Sequence, residues 1–174
     1  MKKDIITIRF ILKSTQMRSI LMFIFVIALP LLVGAQELTR MDGKFYKNGM
    51  LYTGTHVEYY DNGHRRSEQS FRNGLYDGKS VFYFENGQVK EERSYVEGRK
   101  HGCWLTFNAH GVKTGEAWYK NDLKDSTWHL WDDNGRLRYK MHYREGVKIG
   151  KWVMWDENGQ IIQVKDYGEG EKKE

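Results

Sequence analysis

At 174 residues the chain has room for one domain and little for a second. Its formal net charge of +5 arises almost wholly in the first 35 residues: beyond them 23 Lys and Arg stand against 22 Asp and Glu, a net of +1. A near-neutral chain with interleaved signs lacks the basic footprint that a phosphate backbone demands, which excludes nucleic acid as the partner. One cysteine, Cys103, excludes an intrachain disulfide.

In chain order the first element is a leader. Lys2, Lys3, Arg9, Lys13 and Arg18 precede an apolar run from Ile20 to Val33, which is followed by Gly34, Ala35 and Gln36. The run has 14 residues, fewer than the roughly 20 that a helix needs to span a bilayer. Val33 and Ala35 stand where a signal peptidase reads its substrate. A signal-peptide helix over residues 1–35, cleaved near Ala35, is expected, with retention as an anchor as the alternative. Initiation at Met17 leaves the export signal intact. The expected location is the periplasm or the exterior.

The rest of the chain is periodic. Asn62-Gly63, Asn86-Gly87, His110-Gly111, Asn134-Gly135 and Asn158-Gly159 recur every 24 residues. Phe71, Tyr95, Tyr119, Tyr143 and Tyr167 keep the same spacing, as do Gly54, Gly78, Gly102, Ser126 and Gly150. Gly74, Gly98, Asp122, Gly146 and Gly170 form a fourth row, and Tyr59, Tyr83, Phe107, Trp131 and Trp155 a fifth. Rows that hold one register across five units define a repeat architecture. Each unit reads as a β-hairpin, because Asn-Gly supplies the positive φ of a tight turn and aromatic and β-branched residues crowd the flanking positions. In the unit from Gly78 the strands are expected at Ser80–Phe84 and Val89–Tyr95. The turn between them is Glu85 to Gln88, and Glu97 to Lys100 leads into the next unit. Residues 36–53 read as a degenerate half-unit that caps the array, 54–167 as five units, and 168–174 as a disordered tail. The fold expected is all-β: an elongated antiparallel β-meander of tandem hairpins, each packing on its neighbours, with no single central core.

The motif Tyr95-x-Glu97-Gly98-x-x-x-Gly102-x-Trp104-x-x-Phe107 returns as Tyr143-x-Glu145-Gly146-x-x-x-Gly150-x-Trp152-x-x-Trp155. It resembles the MORN repeat, and more closely its bacterial variant, in which an Asn-Gly turn follows, here Asn158-Gly159. The first units depart from it at His56 and Ser80, where tryptophan is missing, and the fourth at Asp122 and Ser126, where glycine is replaced. The resemblance implies a twisted antiparallel meander engaged in protein–protein contacts, dimerisation or phospholipid contact. Related bacterial sequences are labelled antitoxins of the YwqK family. None of this implies a catalytic residue.

Chemistry-bearing side chains do not converge along the sequence. His56, His64, His101, His110, His129 and His142 occupy unrelated repeat slots, so no ladder of metal ligands is built. Glu68, Glu92 and Glu116 form a partial row without the oxygen density that calcium needs. No nucleophile elbow or phosphate loop is present. The expectation is no cofactor, no metal and no catalysis. The aromatic rows remain. Trp104, Trp128 and Trp152 stand three residues ahead of the row Tyr59, Tyr83, Phe107, Trp131, Trp155 in the unit frame, which places the two rows on opposite faces. One row fills the packed face, and the second is the candidate partner-binding stripe, with packing of both rows on either side of a strongly twisted sheet as the alternative. The turn glycines Gly63, Gly87, Gly111, Gly135 and Gly159 are assigned structural roles. The function expected is an exported, non-catalytic scaffold that binds a protein, or itself, in the cell envelope. An antitoxin or immunity-like role and peripheral binding of lipid or glycan are the alternatives.

Overall fold

The computed structural model describes residues 37–170. The expected signal peptide, residues 1–35, and the last four residues of the tail lie outside the described residues. The chain divides into two units, residues 1–37 and 38–174. The first lies almost entirely outside the described residues, and the strands all belong to the second.

No helix occurs among the described residues, and the strands run antiparallel. A small three-stranded sheet comprises β1 (Thr39–Met41), β2 (Lys44–Lys47) and β3 (Met50–Leu51). The large sheet begins with β4 (Gly54–Tyr59), β5 (Arg65–Arg72), β6 (Leu75–Tyr83) and β7 (Val89–Val96). It continues through β8 (Arg99–Lys100), β9 (Gly102–Phe107), β10 (Lys113–Lys120) and β11 (Leu123–Trp131). It ends with β12 (Leu137–Arg144), β13 (Val147–Trp155) and β14 (Ile161–Asp166). Spatial order follows chain order from β4 to β14, with β8 and β9 both paired to β7 on either side of His101. This is the expected meander. Strands such as β6 begin earlier than expected, at Leu75, because the chain enters pairing as soon as it leaves the preceding turn.

Two kinds of turn alternate along the ribbon. The tight turns carry positive φ at both central residues: Asn73-Gly74 (49° and 76°), Glu97-Gly98 (49° and 80°), Asn121-Asp122 (50° and 69°) and Glu145-Gly146 (46° and 86°). That is the mirror-image two-residue hairpin turn whose twist matches the strands. The Asn-Gly pairs that recur in the 24-residue row, from Asn62-Gly63 onward, behave differently from expectation. In Asn62-Gly63 only the glycine has positive φ. Three residues, Asp61, Asn62 and Gly63, lie between the closing pair, with Gly63 N–H donating to the Tyr60 carbonyl at 2.9 Å and Tyr60 N–H to the His64 carbonyl at 2.8 Å. The asparagine serves instead through its amide: Asn62 Oδ1 accepts the His64 N–H, and Nδ2 donates to the Glu85 carbonyl of the next wide turn. Asn86 repeats this toward Gln88 and the Ala109 carbonyl. In later units the capping acceptor moves two residues earlier, to Asn108, Asp132 and Asp156.

The tight turns are stacked as well. The N–H of Gly74, Gly98, Asp122 and Gly146 donates to the carbonyl of Tyr52, Tyr76, Lys100 and Lys124, respectively, at 2.7–2.9 Å. The preceding N–H is taken by a side chain from the previous unit: Asn73 by Thr53, Glu97 by Asp77 and Glu145 by Asp125. Asp122, standing where its neighbours have glycine, keeps the left-handed conformation and accepts the Lys100 N–H on Oδ1 at 2.8 Å. Ser126 likewise keeps positive φ, at the bulge that Gly78 and Gly102 make in their units. Asp tolerates this region through local hydrogen bonds, and Asp122 and Ser126 both keep the left-handed backbone of the glycines they replace.

The core is a single aromatic ladder on one face. Phe71, Tyr76, Tyr95, Trp104, Tyr119, Trp128, Tyr143, Trp152 and Tyr167 follow one another with centroids 4.8–5.3 Å apart, in tilted, stacked or edge-on contact. Such geometries add to the burial energy of the rings. Trp104, Trp128 and Trp152 each donate their indole N–H to a carbonyl ten residues earlier, those of Ser94, Trp118 and His142. Burial raises the phenol pKa of Tyr76, Tyr119 and Tyr143 above the ordinary value. The first units, which lack tryptophan at positions 56 and 80, place Tyr52 and Tyr76 in the ladder from a position four residues earlier. At that earlier position the later units carry Lys100, Lys124 and Lys148, whose ammonium groups lie 4.5–4.9 Å from the centroids of Trp104, Trp128 and Trp152.

The small sheet covers the start of the ladder. Phe45 meets Phe71 at 4.7 Å and Tyr76 at 5.2 Å, and its N–H donates to the Gly74 carbonyl. Of the tail expected to be disordered, residues 168–170 are described: the Gly168 carbonyl accepts the Gly150 N–H at 2.7 Å, and Tyr167 N–H returns to the Gly150 carbonyl.

Candidate functional site

Strand alternation and the registers given by pairing separate two faces. The ladder face carries positions such as Glu58, Ser67 and Gln69 in the first units, and Leu130, Tyr139, Met141 and Met154 in the last. Its chemistry therefore changes along the ribbon. At the start it is polar: Ser67 and Gln69 are buried, Ser67 Oγ donates to Glu58 Oε2 at 3.0 Å, and Gln69 Nε2 donates to Ser67 Oγ at 2.9 Å. In the middle it is small, with Gly115 and Ala117. At the end it is apolar and open, with Leu130 40% and Tyr139 39% exposed. There a hollow of about 200 Å³ is bounded by Tyr139, Met141, Trp152 and Met154 on one side and Gln163, Lys165 and Tyr167 on the other. The adjoining edge strand β14 is exposed at every residue, including Ile161, Ile162 and Val164.

The opposite face alternates aliphatic and charged positions from strand to strand as far as Glu116, after which His129 and Lys140 precede two valines. Val57, Glu68, Val81, Glu92, Leu105, Glu116, His129, Lys140, Val153 and Val164 form one cross-strand row. The glutamates that formed a partial row in the sequence each bind a cation: Arg65 to Glu68, Lys79 to Glu92 and Lys113 to Glu116, at 2.8–2.9 Å. The Lys113 hydrogen bond holds the Glu116 carboxyl below the usual carboxylate range. His129 pairs across from Glu116 and stacks on Trp131 at 5.5 Å, with Nδ1 buried and without a partner among the described residues. Burial lowers its pKa, as it lowers that of His142, which contacts Thr127 Oγ1 at 3.0 Å. Burial raises the Cys103 thiol pKa. Among the described residues no three His, Cys, Asp or Glu side chains converge on a point that could hold a metal ion.

The row Tyr59, Tyr83, Phe107, Trp131 and Trp155 lies beside the wide turns, and its members sit in different surroundings. Tyr59 is 60% exposed, whereas the other four are half-buried. Tyr59 and Tyr83 line a groove of about 650 Å³ between the first two wide turns. Trp155 lines a second hollow with Arg136 and Leu137 between the last two. Trp131 is covered: Lys113 Nζ lies 4.3 Å from its ring centroid while His129 stacks on the ring. The structure thus gathers Tyr59 and Tyr83 at one site and keeps Phe107 and Trp131 apart from it. The groove also contains Tyr60, Asp61, Asn62, Arg66, Phe82, Glu85 and Lys90, which reading along a single repeat row passes over. Pairing of Phe82 with Glu91 and of Tyr83 with Val89 brings them together through a bulge, a register change no 24-residue spacing announces. The turn glycines Gly63, Gly87, Gly111, Gly135 and Gly159 all hold positive φ of 78–85° at the wide turns.

The MORN repeat variant family model matches the chain at residues 52–73, 76–97 and 148–167. No curated protein matches it. Among solved structures, a chain of the GtfA/B complex bound to UDP and GlcNAc is similar at 12% identity, over 76% of this chain and 27% of that one, with a TM-score of 0.29. The chain thus spans about a quarter of that chain's length. The three matched segments fall in register with the stacked turns and the aromatic ladder, which extend the same plan through the units between them: the chain carries MORN repeats of the variant type.

Proposed function

We propose that the protein is an exported, non-catalytic scaffold of the cell envelope that holds a protein partner on the C-terminal half of its ladder face. The observation that carries this reading is the apolar surface formed by exposed Leu130 and Tyr139 with half-buried Met141 and Met154, continued by the exposed edge strand β14. An exposed apolar patch beside a free strand edge is the surface a partner chain covers, by side-chain burial and by added main-chain hydrogen bonds. The leader supports an envelope location, and the near-neutral charge favours apolar over ionic attachment.

Crosslinking in intact cells followed by mass spectrometry tests the reading. A reproducible partner is expected with the natural chain, and its recovery falls at least tenfold when Leu130 and Met154 are both replaced by Glu. A partner whose toxicity is silenced by binding assigns the scaffold an immunity role. A monomer that captures nothing, or a partner retained by the double variant, overturns the proposal.

A further inference from the structure

The groove beside the first two wide turns has a different chemistry from the apolar end of the ribbon. Its walls present four rings, Tyr59, Tyr60, Phe82 and Tyr83. Four charged side chains reach into it, Asp61, Arg66, Glu85 and Lys90. Among the described residues none of these four has an ion-pair partner or a side-chain hydrogen bond, although Lys90 lies over the Phe84 ring at 5.7 Å. The glutamates elsewhere on the sheet, Glu68, Glu91, Glu92 and Glu116, are all paired with cations. Donors and acceptors of both signs are thus left open around aromatic faces.

The groove is also rigid before anything enters it. Tyr60 Oη donates to the Tyr83 carbonyl at 2.8 Å, Asn62 Nδ2 donates to the Glu85 carbonyl at 3.0 Å, and His64 Nδ1 contacts the same carbonyl at 2.6 Å. Three side chains of the first turn therefore clamp the second. A site fixed in advance loses less entropy when a ligand orders in it. Those clamps also occupy the carbonyls that an incoming peptide strand would use, and the groove sits at turns, away from a strand edge. Recognition there falls to side-chain hydrogen bonds and ring faces.

From this we infer that the groove is a saccharide-binding subsite for a short oligosaccharide. Sugar hydroxyls donate and accept at once, which suits a lining of balanced charge. The C–H face of a sugar ring lies on an aromatic face, and the exposed Tyr59 ring offers one. The volume is within the roughly 300–1,000 Å³ of ligand sites. Arg66 and Glu85 bind hydroxyls from opposite walls, and Tyr59 supplies the platform.

The test is titration of the purified full chain with chitotetraose, cellotetraose, maltotetraose and xylotetraose, followed by isothermal calorimetry and by saturation-transfer NMR. At least one is expected to bind, with Kd raised tenfold or more by Tyr59→Ala and by the double variant R66A/E85A. Trp155→Ala, at the far end of the ribbon, is expected to leave Kd unchanged. The Tyr59 ring is 60% exposed, so its removal leaves the thermal transition in place, and loss of binding reports on the groove. Binding of none of the four sugars overturns the inference, and so does binding that survives Tyr59→Ala. Neither result bears on the apolar C-terminal surface, whose partner is read out separately.

Discussion

Tyr76 flanks one side of the Tyr95 ring at 5.0 Å and Trp104 flanks the other at 5.3 Å, although the two stand at different positions of their repeats. One ladder is therefore built from two interchangeable solutions. In one, a tyrosine follows Leu75 and a serine or histidine stands four residues on. In the other, a lysine takes the tyrosine's place and covers a tryptophan.

The interchange predicts a measurable coupling. Trp104→Ser alone empties a rung and is expected to cost about 2–4 kcal/mol, since a large half-buried ring and its contacts are lost. Lys100→Tyr alone crowds Trp104 and costs about 1–3 kcal/mol. Together they recreate the arrangement around Tyr76, and the double variant is expected to be more stable than the sum of the singles by about 1–2 kcal/mol. Chemical denaturation of the four proteins of the cycle measures it; strict additivity would refute the interchange.

Turn chemistry gives a second prediction. Glu97 holds φ of 49° in a tight turn, where Asn is better suited, and its N–H is already taken by Asp77. Glu97→Asn is expected to stabilise by about 0.5–1 kcal/mol. Ser126→Gly, at φ of 57°, relieves the same kind of strain and gains less, because glycine is freer in the unfolded chain. Shifts in denaturation midpoint at constant slope report both.

A third contrasts two glycines. Gly74 and Gly63 have φ of 76° and 82°, so alanine strains each backbone alike. A Cβ at Gly63 meets open space, whereas one at Gly74 lies 2.8 Å from Leu51 Cδ2 and 2.9 Å from the Phe45 carbonyl oxygen. Gly63→Ala is expected to cost about 1 kcal/mol, and Gly74→Ala at least as much again, with release of β1–β3. Limited proteolysis, cutting near residues 38–51 in Gly74→Ala only, is the check.

Acid sensitivity is the fourth. His129 and His142 have lowered pKa values in the fold because burial disfavours their charged forms. The unfolded chain therefore takes up protons first, and stability held above about pH 6.5 declines as pH falls below it. Glu116 adds a later loss, because its lowered pKa stabilises the fold above the ordinary carboxylate range and that contribution fades on protonation. His129→Phe, which keeps a ring against Trp131, is expected to flatten the midpoint between pH 7 and 5. A pH profile identical to that of the natural chain counts against this account.

The 24-residue spacing was enough to read the meander and the positive φ of the turn glycines, because each follows from a local pattern repeated in register. The assignment of turn types was not legible. Asn62-Gly63 looks like the shortest hairpin turn, yet the chain closes it one residue wider and reserves the short turn for pairs such as Glu97-Gly98. The missing tryptophans at His56 and Ser80 gave no hint of Tyr52 and Tyr76, since the replacement comes from another slot and meets its partners only across strands. The candidate stripe was legible as a row and not as a site. Whether a member lines a groove or lies under a lysine depends on its cross-strand neighbours, as Tyr83 and Trp131 demonstrate.

The indole bonds of Trp104, Trp128 and Trp152 each span ten residues, and each stacked turn joins only the one before it. A whole-unit duplication in the gene would leave all of these links intact. Every added copy would lengthen the ribbon by two strands, about 10 Å, so the distance between the Tyr59 groove and the β14 edge behaves as a heritable ruler that can be reset in steps without redesigning either end.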